Sequence, residues 1–525
     1  MKELNYIKES IYPGLKIPPS VTSLPINGVT ISSVDFVTNE EGHGITGDFY
    51  RICGAIHPED PEGYDINFQM GFPVTWNGRL VQYGGGGLDG TVTPVEAPAP
   101  GRAIMSDTPV KEHYAVCSSD SGHVQKQENP ADCHWALNQE ALENYAYKAL
   151  KKLRDLAVYL LNTAYGQKAD KIYFAGGSNG GRECLKAIEN YPEDYDGAIC
   201  LYPAHHYIAK VLFDNHYGTL MQEAGEKCLI TEEQYQKIQK IITSVSDKAD
   251  GASDGIISDL SYAMAHRNET RKLLEKELTE EQLDMMDKLS ATFKIPFELG
   301  YGSSVMPGYA VYEGAPLYET INNFPFFNIY GEDLVKRTNI SVISADQVIA
   351  CMVMKDPCYD VLHLDLEKMK PQLKAASKLI DASADGSALE KFAEKGGKVL
   401  LMQGMADPMI TPYSTILFYN RMVKYYGQEK LDGFLRFYNV PGYGHGFCNL
   451  FAMNTDLLGV LDKWVCDGTE PSAIIIEDAN DSKNHRTRPI YQYPYYPEYN
   501  GSGDINKAGN FHPQKMDTSQ FDNIE

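Results

Sequence analysis

The chain has 525 residues, is 43% hydrophobic, and carries 47 basic against 71 acidic side chains, a net charge of −24. That length supports two or more structural units around a large core. The charge argues against nucleic acid, whose affinity rests on phosphate neutralisation, and against acidic membrane surfaces.

Residues 1–19 hold no apolar core of a signal peptide, and no stretch approaches the roughly 20 apolar residues of a membrane span. The ten cysteines (Cys53, Cys117, Cys133, Cys184, Cys200, Cys228, Cys351, Cys358, Cys448 and Cys466) are scattered, with no CxxC pair. Reduced thiols and a cytoplasmic location are expected; a secreted chain whose signal has been removed is the alternative.

The first 130 residues are rich in Gly, Pro and short β-prone runs such as Ile66 to Phe72 and Arg79 to Tyr83. The second run leads into Gly84, Gly85, Gly86 and Gly87, a loop suited to presenting backbone N–H groups. No Lys-Ser/Thr follows, which disfavours a phosphate-binding P-loop. Next comes the polar cluster Ser118 to His123, in which His123 reads as structural. From Glu140 to Tyr165, apolar residues recur at three- and four-residue steps, which predicts an amphipathic helix.

Asp170 to Ala175 predicts a strand. It enters Gly176-Gly177-Ser178-Asn179-Gly180, and a helix is expected through about Asn190. Strand, tight Gly-x-Ser-x-Gly turn and helix push a serine out of the backbone as a nucleophile. Strands alternating with helices predict an α/β class with a parallel sheet.

Residues 205–395 are mostly helical and polar, with Lys-Glu clusters over 231–242, 279–289 and 364–379. Within them, Asp247, Asp250 and Asp254 are interleaved with glycines. The spacing is not that of an EF-hand; it suits either a solvated Asp-Gly turn or a loop offering oxygens to a hard cation. The aromatic run Phe324, Phe326, Phe327 and Tyr330 suits either an aromatic substrate pocket or the core of the inserted unit.

The α/β pattern then returns. A strand over 398–402 leads to Asp407, and one over 434–440 leads to His445. Serine, acid and histidine in this order, each past a strand's carboxyl end, match the α/β-hydrolase triad. Asn179 and the glycines 85–87 are the expected oxyanion donors. The last 45 residues read as an irregular wrap. The expected organisation is a catalytic domain over 1–204 and 396–525, with residues 205–395 inserted as a lid.

The chain resembles the tannase and feruloyl esterase family. The resemblance rests on Trp76-Asn-Gly-Arg79 with the glycine run, Ser119 to His123, Gly177-Ser178-Asn-Gly-Gly-Arg182, and Tyr191 to Gly197. Asp407 to Pro412, Arg488-Pro489, Tyr499 to Asp504 and Asn510-Phe511 extend it. It implies an α/β-hydrolase fold with a lid, and hydrolysis of aromatic acid esters by Ser178, Asp407 and His445. The alcohol could be quinate, a sugar or plant polysaccharide. It also implies a structural Ca2+ held by Asp247, Asp250, Asp254 and the carbonyls of Ala252 and Ile256, with no organic cofactor.

The family's cysteines are missing: Gly177, Gly446, Ser246, Tyr491 and His512 stand in their places. Two rival functions are a serine peptidase or aminoacyl hydrolase on the same fold, and a non-catalytic polyphenol- or carbohydrate-binding protein.

Overall fold

The computed structural model describes residues 2–3, 23–24 and 28–524, apart from 127, 317, 322–323, 329–334, 383–385, 447–449 and 482. The chain divides into two compact units. The first is Met1–His205, Ser387–Leu400 and Asp456–Thr469; the second is His206–Gly386, Leu401–Thr455 and Glu470–Glu525.

The first unit is built on a mixed sheet. Strands β1 (Val29–Val37), β2 (Phe49–Ile56) and β3 (Ile66–Pro73) form an antiparallel meander. Strands β4 (Arg79–Tyr83), β5 (Ala115–Ser119), β6 (Lys171–Gly177) and β7 (Gly197–Leu201) follow. Here β3 pairs antiparallel with β5, while β5–β4, β4–β6 and β6–β7 are parallel. Residues Ile172 to Gly176 are buried along their whole length. A strand covered on both faces reads as a continuous apolar run, which is why this segment shows no alternation.

Strand β8 (Lys398–Gly404) starts in this unit beside β7, the Lys398 amide donating to Asp196 O at 3.1 Å. It crosses the unit boundary at Leu400/Leu401. Its end lies beside β9 (Leu435–Val440) in the second unit, where the Met405 amide donates to Val440 O at 3.0 Å. The sheet order is β9-β8-β7-β6-β4-β5-β3-β2-β1.

The helix expected over Glu140–Tyr165 forms in three pieces. A short helix, Gln139–Glu143, is capped by the Asn138 side chain. A π-helical turn spans Asn144–Lys148, and α1 (Ala149–Tyr165) runs to Gly166 at φ 68°. The wide turn serves the site: it presents the carbonyls of Tyr145 and Ala146 to Arg182. Helix α2 (Asn179–Asn190) follows the serine turn.

The second unit holds the expected helices α3 (Tyr207–Ala224), α4 (Glu232–Ser246), α5 (Glu280–Ser290) and α6 (Leu366–Ile380). Thr231 and Thr279 start α4 and α5 with capping boxes, each answered by a Gln three residues on. Helix α7 (Pro412–Tyr426) follows the Asp407 loop. This unit also includes residues 401–455 and 470–525, which the sequence pattern attached to the catalytic domain. No helix among the described residues is long and apolar enough to cross a membrane.

Candidate active site

Ser178 stands between β6 and α2 at φ 59°, ψ −122°. A non-glycine residue holds such a conformation only when its surroundings enforce it. The Ser178 amide donates to Leu201 O at 3.1 Å, and its carbonyl accepts from the amides of Arg182 (3.1 Å) and Ala204 (3.0 Å). The side chain is left half-buried at the head of a helix.

The glycine loop packs against that helix start. A Cβ on Gly180 would lie 2.5 Å from Gly85 O, and one on Gly84 would lie 2.7 Å from Gly180 Cα. Only glycine on both sides allows this approach. It brings the loop to Asn179, the expected first oxyanion donor. Gly86 and Gly87 are exposed, but the Gly85 amide donates to Glu183 Oε2 at 2.9 Å. Gly85 is thus not free to serve an oxyanion, and this expectation is corrected: its amide anchors the loop.

Glu183 belongs to a buried network that sequence patterns did not disclose. The Ser121 hydroxyl lies 2.7 Å from Asp89 Oδ2 and 3.0 Å from Glu183 Oε1. Asn179 Nδ2 donates to Asp89 Oδ1 at 2.8 Å, and Arg182 Nε donates to Asn179 Oδ1 at 2.6 Å. Burial, reinforced by the neighbouring Asp89, pushes the Glu183 carboxyl well above the usual carboxylate range.

The Ser118–His123 cluster has the same task. His123 is buried, stacks on Trp135 with centroids 3.7 Å apart, and bonds Leu88 O through Nε2 at 3.0 Å. The Gly90 amide donates to Asp120 O at 3.1 Å. These residues brace the loop from beneath. The remaining signal in the sequence was only their polarity within an apolar region.

In the second unit, Asp407 is fully buried and receives His445 Nδ1 at 2.8 Å on Oδ2. Its Oδ1 accepts the amides of Met409 (2.7 Å) and Ile410 (2.9 Å), which fix the carboxylate plane. With Nδ1–H directed at Asp407, His445 Nε2 is the basic nitrogen. The two loops are joined by backbone: the Ala406 amide donates to Tyr443 O at 3.0 Å, and a Cβ on Gly404 would lie 2.3 Å from that same oxygen.

The predicted pocket residues Phe324, Phe326 and Phe327 lie on the strand Phe324–Asn328, paired with Tyr318–Ile321; Tyr330 lies outside the described residues. In the Asp247–Ile256 loop Asp247, Asp250, Ala252 and Ile256 are buried, with Asp247 Oδ1 accepting Gly255 N at 2.8 Å and Asp250 Oδ1 accepting Ala252 N at 2.9 Å. Burial, with Asp254 and Asp247 nearby, pushes Asp250 up to about 7, and Arg488 pairs with Asp254. Among the described residues, no three His, Cys, Asp or Glu side chains form a metal-binding group by themselves. The donor chemistry, all oxygen and carrying excess negative charge, nonetheless suits a hard cation if the carbonyls of Ala252 and Ile256 contribute.

The family profile described as tannase and feruloyl esterase matches residues 50–513. An uncharacterised esterase of Agrobacterium fabrum is 29% identical over 94% of this chain and 91% of its own length. The mono(2-hydroxyethyl) terephthalate hydrolase of Piscinibacter sakaiensis is 24% identical, over 88% of this chain and 84% of its own. The crystal structure of feruloyl esterase B from Aspergillus oryzae superposes with a TM-score of 0.74 at 22% identity, covering 94% of this chain and 98% of that one. The fold is therefore of α/β-hydrolase type, and the chain belongs to the tannase and feruloyl esterase family of carboxylic ester hydrolases.

Proposed function

We propose that this enzyme hydrolyses esters of hydroxycinnamic or gallic-type acids through an acyl-enzyme on Ser178. The observation that supports this is the enforced backbone of Ser178 at the head of α2, between strand and helix as a nucleophile elbow requires. Esters of aromatic acids are the substrates named for the family and for the terephthalate-ester relative.

His445 Nε2 takes the Ser178 proton as Oγ attacks the ester carbonyl. The Asn179 amide, with Gly86 or Gly87, holds the negative charge that develops on oxygen. Asp407 keeps the imidazole in the productive tautomer and offsets its charge. The tetrahedral intermediate collapses, His445 protonates the departing alcohol, and water repeats the sequence to release the acid. Phe324, Phe326, Phe327 and Tyr330 are assigned to the acyl pocket; Phe326→Ala should raise KM for methyl ferulate, and an unchanged KM rejects that assignment. Ser178→Ala should abolish hydrolysis of methyl ferulate and methyl gallate while the folded chain persists. Residual turnover in that variant would remove Ser178 as nucleophile.

Asp247, Asp250, Asp254 and the carbonyls of Ala252 and Ile256 are proposed to hold Ca2+, which would relieve the repulsion among these carboxylates. The ion supplies rigidity, with no part in acyl transfer. Chelation by EDTA should lower Tm and added Ca2+ restore it; a Tm indifferent to both rejects the site.

A further inference from the structure

Tyr202 directly follows β7, and its backbone is as constrained as that of Ser178. It sits at φ 33°, a region that a residue with an aromatic side chain enters only when its surroundings enforce it. Part of that enforcement comes from Ser178 itself. The Ser178 amide donates to Leu201 O at 3.1 Å, and the Ala204 amide donates to Ser178 O at 3.0 Å. Tyr202 and Pro203 therefore form a turn bonded at both ends to one serine. Two residues with positive φ, at 59° and 33°, are locked to each other by these bonds.

The same turn presses on the elbow from both sides. On the side of β6, a Cβ on Gly177 would lie 2.7 Å from Tyr202 Cε2 and 2.9 Å from its Cζ and its hydroxyl oxygen. On the side of α2, a Cβ on Gly181 would lie 2.7 Å from Leu201 O and 2.9 Å from Pro203 Cα. Backbone fills the helix side, whereas the outer end of an aromatic ring fills the strand side. From Gly197 to His205, Tyr202 alone is not buried. The ring thus stands at the edge of the core, against the elbow.

This placement bears on how Ser178 is aimed. The direction of its Oγ follows from the backbone on either side, and Gly177 has no side chain of its own to resist rotation. The Tyr202 ring occupies the space into which Gly177 would otherwise swing, and a close-packed contact of this kind transmits displacement instead of absorbing it.

We propose that Tyr202 is a positioning residue for Ser178: its ring, wedged against Gly177, holds the elbow in the conformation that aims Oγ. The inference rests on Ser178 being the nucleophile, and Tyr202 acts on the serine, with no part in the bond changes.

The test reads kcat and KM on methyl ferulate, the rate at which a fluorophosphonate labels Ser178, and Tm, all on the full chain. Tyr202→Ala should lower kcat and the labelling rate together, each by about 10²-fold, with KM little changed. Tyr202→Phe keeps the ring and should restore most of both. Gly177→Ala drives its Cβ into the ring and should also lower kcat. Combined with Tyr202→Ala it should cost nothing further, because the ring it meets is gone. Wild-type kcat and labelling in Tyr202→Ala overturn the proposal. So does a Tyr202→Phe variant as slow as Tyr202→Ala, which would assign the effect to the hydroxyl, and so do losses that multiply in the double variant. Should Tyr202→Ala not fold, wild-type kcat in Gly177→Ala, measured well below its Tm, overturns it. A wild type that the probe does not label at Ser178 removes the nucleophile and this inference with it. Equal labelling of wild type and Tyr202→Ala removes this inference alone.

Discussion

The backbone amide of Gly85 donates to the Glu183 carboxyl group at 2.9 Å, and that bond fastens the glycine loop to the helix that starts beside Ser178. The loop's position therefore depends on a side chain that touches no substrate. Glu183→Ala removes the acceptor and leaves Gly85 N–H and Asp89 short of a partner, so the loop shifts. Displacement of an oxyanion donor costs about 10²-fold in kcat, with KM for a small methyl ester little changed. Glu183→Gln keeps an acceptor for Gly85 and offers Asp89 a donor from its amide. It should retain most of the wild-type kcat. Equal losses in the two variants would mean that Glu183 acts through its charge instead.

The strained elbow makes a prediction about stability. Positive φ at a non-glycine residue costs on the order of 1–3 kcal/mol, against which glycine loses up to about 1 kcal/mol in unfolded-state entropy. Ser178→Gly should therefore be more stable than Ser178→Ala by about 1 kcal/mol, with both inactive. Denaturant unfolding of the pair measures this. If the alanine variant is the more stable of the two by about 1 kcal/mol, the elbow holds no strain.

The positions of Ser178, Asp407 and His445 past strand ends were legible because strand ends show in short apolar runs. The network behind them was not, since Asp89, Ser121 and Glu183 lie on three distant segments and meet only in the folded chain. The π-helical turn at Asn144–Lys148 was equally hidden: its apolar spacing is that of an ordinary helix, and the reason for it is Arg182, some 35 residues on. Gly177 gains a physical account. A Cβ there would lie 2.7 Å from the ring of Tyr202, so the space in which the family's cysteine would stand is filled by an aromatic side chain. The unit boundary within β8 has no mark in composition at all.

The histidine loop, in which Gly446 stands where the family has a cysteine, depends on close backbone approach. Gly404→Ala would drive its Cβ into the carbonyls of Tyr443 and Gly444, both within 2.4 Å, and neither can yield without moving His445. A fall in kcat of about 10²-fold is expected, because small misplacements of catalytic groups are costly. Activity of the wild type should meanwhile survive millimolar dithiothreitol. Cys184 is buried and in no disulfide, while Cys448 lies outside the described residues. Inactivation by mild reductant would point to a disulfide at this loop.

His123 gives the brace beneath the glycine loop a pH limit. Burial lowers it from 6.5 to about 4, so the folded protein keeps the ring neutral while the unfolded chain protonates it near 6.5. The unfolded state thus binds the extra proton between these values. The contribution is fully present above about pH 6.5, declines as pH falls, and is lost through about pH 4, a total of about 3 kcal/mol at most. In His123→Asn the linkage disappears. The stability difference between wild type and variant, from urea unfolding at fixed temperature, should narrow steadily from pH 7 to pH 4. A difference independent of pH would mean that His123 takes up its proton in the folded protein as readily as in the unfolded chain. Its stacking on Trp135 and bond to Leu88 O would then need a counter-charge, and Asp89 and Asp132 are the carboxylates placed to supply it.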